Sequence, residues 1–290
     1  KFIKADLRDE NALKNIFKKF NNSNQKIEAV IHFAGLKSVI ESVKDPIKYW
    51  DFNVKGSINL LNIMRHYECY KLVFSSSATI YGYKSNNQLI KENDKISPIN
   101  PYGETKEAIE KIIKNLSEVQ DSKWNVVVLR YFNPIGAHPS GLIGDNPLEL
   151  ANNIIPIINK VASCKINELE IYGNDWRTID GTGVRDYIHV MDLAEGHIAA
   201  LELILKSKNN SIQINLGTGQ GTSVLELVNC FAKSNNVNLP YKFSSRREGD
   251  TPYSVADNSL AKLKLNWEPK RDLREMCIDS WNSYLKNSNY

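Results

Sequence analysis

The sequence predicts an α/β fold, a parallel sheet with crossover helices followed by a second, smaller lobe, from three observations. Short apolar runs of strand length recur along the 290 residues, amphipathic helical patterns separate the early ones, and past Asn133 the rhythm breaks into Pro/Gly-rich stretches. Parallel strands need a crossover of a dozen or more residues, which the intervening helices supply.

Taken in order, Lys1-Phe2-Ile3-Lys4-Ala5-Asp6 reads as a strand in mid-sheet, Glu10 to Phe20 as a helix and Ala29 to Phe33 as a strand. Pro46 to Tyr67 reads as one long helix. Leu72 to Ser75 is a buried strand running into Ser75-Ser76-Ser77-Ala78-Thr79, and Tyr102 to Val119 is a helix with Ile109, Ile112, Ile113 and Leu116 on one face. Val126 to Phe132 is the next strand. Asn133 to Gly144 and Asp180 to Gly183 are loops, and the strands Leu169 to Tyr172, Tyr187 to Val190 and Ile212 to Leu216 follow. Late helices are expected at Met191 to Leu205, Ser223 to Ser234 and Leu273 to Tyr284, and surface turns at Asn21 to Asn24 and Asn209 to Asn210.

Composition narrows the function classes. A hydrophobic fraction of 42% and a charged fraction of 24% are ordinary for a globular chain, and a length of 290 residues can bury a sizeable core. The net charge of +4 comes from dispersed basic residues with acids between them, so nucleic acid is not the expected partner. No apolar run approaches the roughly 18 residues that cross a bilayer and no secretory leader pattern opens the chain, which makes a cytoplasmic location the expectation. Cys69, Cys164, Cys230 and Cys277 form no CxxC pair, and the five histidines form no HxH or HxxxH, so no metal site or disulfide framework is expected. His189 reads as a packed strand histidine. The Gly217-Thr218-Gly219-Gln220-Gly221 run has GxGxG spacing and reads as a turn into the following helix.

The chemistry concentrates at Tyr102 and Lys106, four residues apart at the start of a helix. Positions i and i+4 lie one above the other, so an ammonium can sit beside the phenol. A cation there favours phenolate, lowering a pKa near 10 by roughly one to three units and making a base. A hydroxyl of the Ser75–Thr79 turn would hold the substrate oxygen whose proton the base takes. Alone, the pair is a common helix-surface arrangement; its place after a buried strand end, where open α/β sheets put their sites, gives it weight.

With these residues in view, the chain resembles the extended short-chain dehydrogenase/reductase superfamily and, within it, the UDP-galactose (UDP-glucose) 4-epimerases. The resemblance runs from Asp6 to about Tyr284 and is most specific at Val30 to Lys37, Phe74 to Gly82, Arg130 to Gly141, Asp180 to Ala194 and Arg246-Arg247-Glu248-Gly249-Asp250. It implies a Rossmann-like doubly wound parallel sheet binding NAD over residues 1–133 and a smaller α+β lobe for the UDP-sugar over 134–290, with some segments returning to the first domain.

The resemblance also implies roles. Asp6 and Leu7 match positions that hold the adenine of NAD; Phe33, Ala34, Gly35, Lys37, Asn53, Ser75 and Tyr131 match other cofactor positions. Tyr102, Lys106 and Ser77 match the catalytic set, with Lys106 also on the nicotinamide ribose. Lys37, Ser77, Thr79, Tyr102, Phe132, Asn133, Asn153, Ile154, Tyr172, Arg185, Arg247, Asp250 and Ser254 match substrate positions. The implied reaction is reversible C4 inversion of UDP-glucose and UDP-galactose through a 4-keto sugar, in galactose metabolism, by a homodimer paired through the helices Pro46 to Tyr67 and Tyr102 to Val119.

Two departures stand out. The Gly-rich turn of a first βαβ unit is absent ahead of Lys1, roughly 50 residues' worth, and a longer protein is expected. Ser254 stands where epimerases restricted to glucose and galactose carry a tyrosine, which leaves room for a 2-acetamido group unless a one-residue slip lets Tyr253 fill it. Nucleotide-sugar 4,6-dehydratases need a carboxylate pair where this chain has Ala78-Thr79-Ile80, which argues against dehydration. Other UDP-sugar epimerases and a non-catalytic nucleotide-sugar-binding protein remain open at this point.

Overall fold

The computed structural model describes residues 1–23, 25–83, 88–145, 147, 153–207, 211–247 and 249–287. Asn24, Asn209 and Asn210, expected in turns, lie outside these residues, as does Glu248. In chain order the helices are α1 (Glu10–Asn22), α2 (Val39–Lys44), α3 (Pro46–Tyr49), α4 (Gly56–His66), α5 (Pro101–Glu118), α6 (Ile154–Ala162), α7 (Val190–Lys206), α8 (Val224–Asn235), α9 (Ser259–Leu265) and α10 (Leu273–Asn287). The strands are β1 (Ala29–His32), β2 (Lys71–Ser77), β3 (Asn125–Tyr131), β4 (Asn133–Ile135), β5 (Leu169–Tyr172), β6 (Val184–Arg185), β7 (Tyr187–His189), β8 (Ser211–Leu216), β9 (Thr222–Ser223), β10 (Tyr241–Ser244) and β11 (Tyr253–Ser254).

The chain divides into two compact units. The first comprises Lys1–Gly82, Lys95–Arg130 and His197–Ile214, and the second Tyr83–Asp94, Tyr131–Gly196 and Asn215–Tyr290.

The first unit is organised on a sheet of order β1-β2-β3-β8. β1 and β2 run parallel with Ala29 opposite Lys71 and His32 opposite Phe74, so the chain leaves both strands at the same sheet edge. Its core joins Leu13 and Phe17 of α1, Leu60, Leu61 and Met64 of α4, Leu72 and Phe74 of β2, Ile109 and Ile113 of α5, and Val126 and Val128 of β3. α1 starts because Asp9 accepts from the Ala12 amide, one of the four donors a helix start leaves unpaired, and it buries the i, i+4 pair Leu13 and Phe17. α5 starts where Asn100 caps the Gly103 amide and Pro101 takes the first helical position; its buried face runs Tyr102, Lys106, Ile109, Ile113.

The second unit holds the parallel pairs β4-β7 and β10-β5 and the three-stranded β11-β6-β9. Its core gathers Ile155 and Ile158 of α6, Leu169 and Ile171 of β5, Tyr187 of β7, Leu227 and Phe231 of α8, and Met276 and Cys277 of α10. α8 begins with a capping box, Ser223 bonding the Glu226 amide while the Glu226 side chain returns to the Ser223 amide.

Several expectations are corrected. Residues 1–6 form no strand and Phe2 is 89% exposed, because none of the described strands pairs with them and an unladdered strand has no hydrogen bonds to hold it. Asn21 and Asn22 close α1 and are not a turn. The helix expected over Pro46 to Tyr67 is α3, a π-helical segment Trp50–Lys55 and α4. The short helices α2, α6 and α9 were not legible in the pattern. His189 is fully buried in β7, as expected of a packed histidine, and the Gly217–Gly221 segment is the turn that leads into β9 and α8.

Candidate active site

In the first unit, Tyr102 and Lys106 lie on the buried face of α5. The Lys106 ammonium donates to the Ser75 carbonyl at 2.8 Å and sits 4.9 Å from the Phe74 ring centroid and 6.0 Å from that of Tyr102. Burial pushes its pKa down to about 8, with the Glu110 carboxylate, one turn along, pulling the other way. Lysine therefore reaches both the tyrosine and the end of β2.

Beyond β2 the chain makes a 3₁₀ turn, Ala78–Tyr81, capped by Ser77, whose hydroxyl takes the Thr79 amide at 3.2 Å and meets the Thr79 hydroxyl at 2.8 Å. α5 seats its first turn against this segment at Gly103. A Cβ there would stand 3.2 Å from the Thr79 carbonyl oxygen and 2.9 Å from Pro98 Cβ, which explains glycine next to the tyrosine. Ser75 is fully buried, and its hydroxyl lies 3.1 Å from Nε2 of His197.

After β1 the chain turns through Phe33, Ala34, Gly35 and Lys37, all exposed, with Phe33 lying over the His197 ring at 4.6 Å. Asn53 fixes this turn: its Oδ1 accepts from the Leu36 amide at 2.7 Å, and its Nδ2 donates to the Leu36 carbonyl at 3.0 Å and to the Thr105 hydroxyl at 3.2 Å. A Cβ on Gly35 would stand 3.0 Å from Asn53 Oδ1, so the turn hugs the asparagine and leaves its outer side open. Asp6 is gripped by Arg8 through both carboxylate oxygens, which holds its pKa down to about 2. Leu7 presents its carbonyl to Asn59 Nδ2 at 3.2 Å.

In the second unit, four of the expected substrate residues meet. Arg185 donates to Asp250 at 2.6 Å, Arg247 Nε lies 3.8 Å from the other Asp250 oxygen, and the Arg247 guanidinium stacks 4.5 Å above Tyr172. One carboxylate thus holds two arginine forks side by side, an arrangement suited to diphosphate oxygens. Arg246 instead pairs with Asp175 and stacks on Trp176 at 3.8 Å. Tyr131 ends β3, Phe132 is buried, and Asn133 opens β4 exposed. Asn153 and Ile154 stand at the start of α6, with Asn153 reaching Asp145 at 3.4 Å.

Register puts Ser254 and Tyr253 on opposite faces of their ladder. In the β11–β6 pair Ser254 is opposite Arg185 and Tyr253 opposite Val184. Neighbours across a ladder share a face, and successive residues alternate, so Ser254 shares the face of Arg185. Tyr253 turns the other way, where a Cβ on Gly221 would meet both Val184 at 2.7 Å and the Tyr253 ring at 3.4 Å.

Sequence reasoning missed the groups behind these residues. Asp186, fully buried, accepts from the amides of Thr218, Gly219 and Ala256 at 2.7–3.1 Å and from the Thr218 hydroxyl at 2.6 Å. A Cβ on Gly217 would come within 2.5 Å of that carboxylate, so part of the glycine run makes room for an aspartate. Asp186 also joins Asn133 and Ser254 by its backbone. Ser76, Glu110 and Arg130 form a buried cluster behind Lys106. The sequence signal was slight: Ser76 and Arg130 are polar residues in otherwise apolar strands, and Asp186 stands between β6 and β7. Among the described residues no group of His, Cys, Asp or Glu is placed to hold a metal ion.

A family model described as GDP-mannose 4,6 dehydratase matches residues 1–280. The UDP-glucose 4-epimerase of Bacillus subtilis (strain 168) is 49% identical over 288 residues, which is 99% of this chain and 83% of that protein. A crystal structure of UDP-glucose 4-epimerase from Stenotrophomonas maltophila with bound NAD and formylated UDP-arabinopyranose superposes with a TM-score of 0.94 at 42% identity, covering 99% of this chain and 83% of that one. One from Bifidobacterium longum in complex with NAD+ and UDP gives 0.91 at 42% identity with the same coverage.

Proposed function

This chain belongs to the UDP-glucose 4-epimerase family of the extended short-chain dehydrogenase/reductase superfamily, and we propose that it inverts C4 of UDP-glucose and UDP-galactose with NAD as its cofactor. The observation that carries the proposal is the buried α5 face on which Lys106 joins the Ser75 carbonyl and approaches the Tyr102 ring. A proton time course by NMR of the protein with NAD and UDP-galactose tests it, the expected outcome being appearance of the UDP-glucose anomeric doublet; its absence with NAD bound would overturn the assignment.

The residues fit NAD. Ala34 and Gly35 form a small-residue turn open on its outer side, Asn53 and Thr105 brace it, and Lys37 and Lys106 offer cations. Asp6, Leu7, Phe33, Ala34, Gly35, Lys37, Asn53, Ser75, Tyr102, Lys106 and Tyr131 would hold the cofactor. When bound, NAD supplies the hydride acceptor and donor at the sugar's C4. Ser77 and Thr79 orient the 4-hydroxyl, Lys106 stabilises Tyr102 as the phenolate by charge, and that phenolate takes the hydroxyl proton and becomes the neutral phenol. Arg185, Arg247 and Asp250 hold the UDP while the 4-keto sugar turns over, and Tyr102 returns the proton when the opposite face is reduced. Lys37, Phe132, Asn133, Asn153, Ile154 and Tyr172 complete the substrate set. Inversion leaves no net redox change.

Ser254, on the Arg185 face of its ladder, supports turnover of UDP-GlcNAc and UDP-GalNAc as well. We assign residues 1–133 mainly to the NAD-binding domain and 134–290 mainly to the sugar-binding lobe, with segments returning to the first. Ile47 at 80%, Trp50 at 41% and Ile58 at 38% exposure leave apolar surface on the Pro46–Tyr67 stretch and support pairing of two copies there. No helix among the described residues is long and apolar enough to cross a membrane.

A further inference from the structure

Two polar rungs join β2 to α5 in the first unit. Lys106 reaches the Ser75 carbonyl, and the next residue, Ser76, donates to Glu110 Oε1 at 2.5 Å. Glu110 follows Lys106 by one turn and is 7% exposed. Arg130, on β3, grips it at 2.6 Å through Nη2 to Oε2 and at 3.1 Å through Nε to Oε1, and passes Nη1 to the Tyr81 hydroxyl at 3.0 Å. A carboxylate this buried is expensive unless paired, and here every partner is itself held.

We propose that Glu110 is a positioning residue for the epimerase reaction: anchored by Arg130 and Ser76, it keeps the buried Lys106 protonated and braces the Ser75–Ser77 strand end against α5. The proposal rests on the reading of Tyr102 and Lys106 as the catalytic pair. Lys106 is 5% exposed, and burial alone favours the neutral amine. Among the described residues the charged and titratable groups around it are Glu110 and Tyr102 on its own helix, His32 on β1, Arg130 on β3 behind Glu110, and His197 on α7, whose ring meets the Ser75 hydroxyl. His32 is buried and neutral, its pKa pushed down to about 3 first by burial and then by Lys106. Of the carboxylates, Glu110 is the one that acts on Lys106. Arg130, despite burial, has its pKa held up by Glu110 and remains charged beside that carboxylate.

The test follows Lys106 directly, by the ¹³Cε resonance of lysine-labelled protein assigned with Lys106→Arg, alongside the pH dependence of kcat. In the parent protein the expected midpoint of the resonance is about 8, below that of a solvated lysine because of burial. In Glu110→Gln its midpoint falls by about one unit, and the alkaline limb of kcat moves with it, whereas Glu110→Asp restores most of the shift. Because Glu110→Gln leaves Arg130 unpaired in the interior, the double variant Glu110→Gln/Arg130→Gln, an amide pair of similar size, is measured too, and the same fall is expected. An unchanged Lys106 midpoint in the folded double variant, or an activity loss equal at every pH, would overturn the positioning role. A parent protein that binds NAD yet leaves UDP-galactose unchanged would instead overturn the epimerase reading, and the lysine titration stands apart from that result.

Discussion

Tyr102 has a consequence at single-atom resolution. Replacing it with phenylalanine removes the proposed proton acceptor while keeping the ring, so kcat is expected to fall by roughly 10²- to 10⁴-fold with KM changed little, measured by coupled assay of UDP-glucose formation. Ser254→Tyr tests the pocket wall from the other direction: UDP-GalNAc turnover should be lost while UDP-galactose turnover is kept, and equal loss of both would remove Ser254 from the wall. These residues were legible because spacing alone brings Tyr102 and Lys106 to one helical face. Ser254 needed more, since sequence fixes neighbours along a strand but only the register opposite Arg185 fixes its face. Asp186 was invisible for a further reason, as its partners at residues 218, 219 and 256 are remote in sequence and mostly backbone amides.

The elements were legible in proportion to how cleanly their pattern matched one period. β2 and β3 read as apolar runs because most of their residues are buried. α6 did not read as a helix: Ile154-Ile155-Pro156-Ile157-Ile158 is apolar on nearly every side, and Pro156 resembles a breaker, although in the first turn it costs no hydrogen bond. The π-helical segment Trp50–Lys55 left the apolar pattern of its neighbours intact, so nothing in the sequence marked it, yet it carries Asn53, the brace of the turn after β1. α5 offers the element-scale test. Asn100→Ala strips the cap from the Gly103 amide, which is expected to lower stability by about 1 kcal/mol in a urea titration. Because the uncapped turn carries Tyr102, kcat should drop in the same variant at urea concentrations where it is fully folded.

For the molecule as a whole, buried neutral histidine sets part of the acid limit. His32 Nε2 lies 2.8 Å from the Ser57 hydroxyl, which itself donates to the Asn53 carbonyl at 2.6 Å. Above pH 6.5 His32 is neutral folded or unfolded; as pH falls from about 6.5 toward about 3 the unfolded chain gains a proton that the folded one resists, and stability is lost. His32→Gln should therefore flatten the decline of the melting temperature over that window relative to the parent, and an identical slope would assign the acid limit elsewhere. The two compact units also interleave along the backbone: six alternating segments mean that the chain crosses between them five times. No single cut in the gene separates them. A ribosome making this protein releases β1, β2 and β3 well before β8, the fourth strand of their sheet, so the first unit stays unfinished until residues 211–216 emerge, when about half of the other unit's chain has already been made. Recombination with one crossover would for the same reason hand down parts of both units, and swapping one unit whole between relatives requires exchanging several separated stretches of coding sequence together.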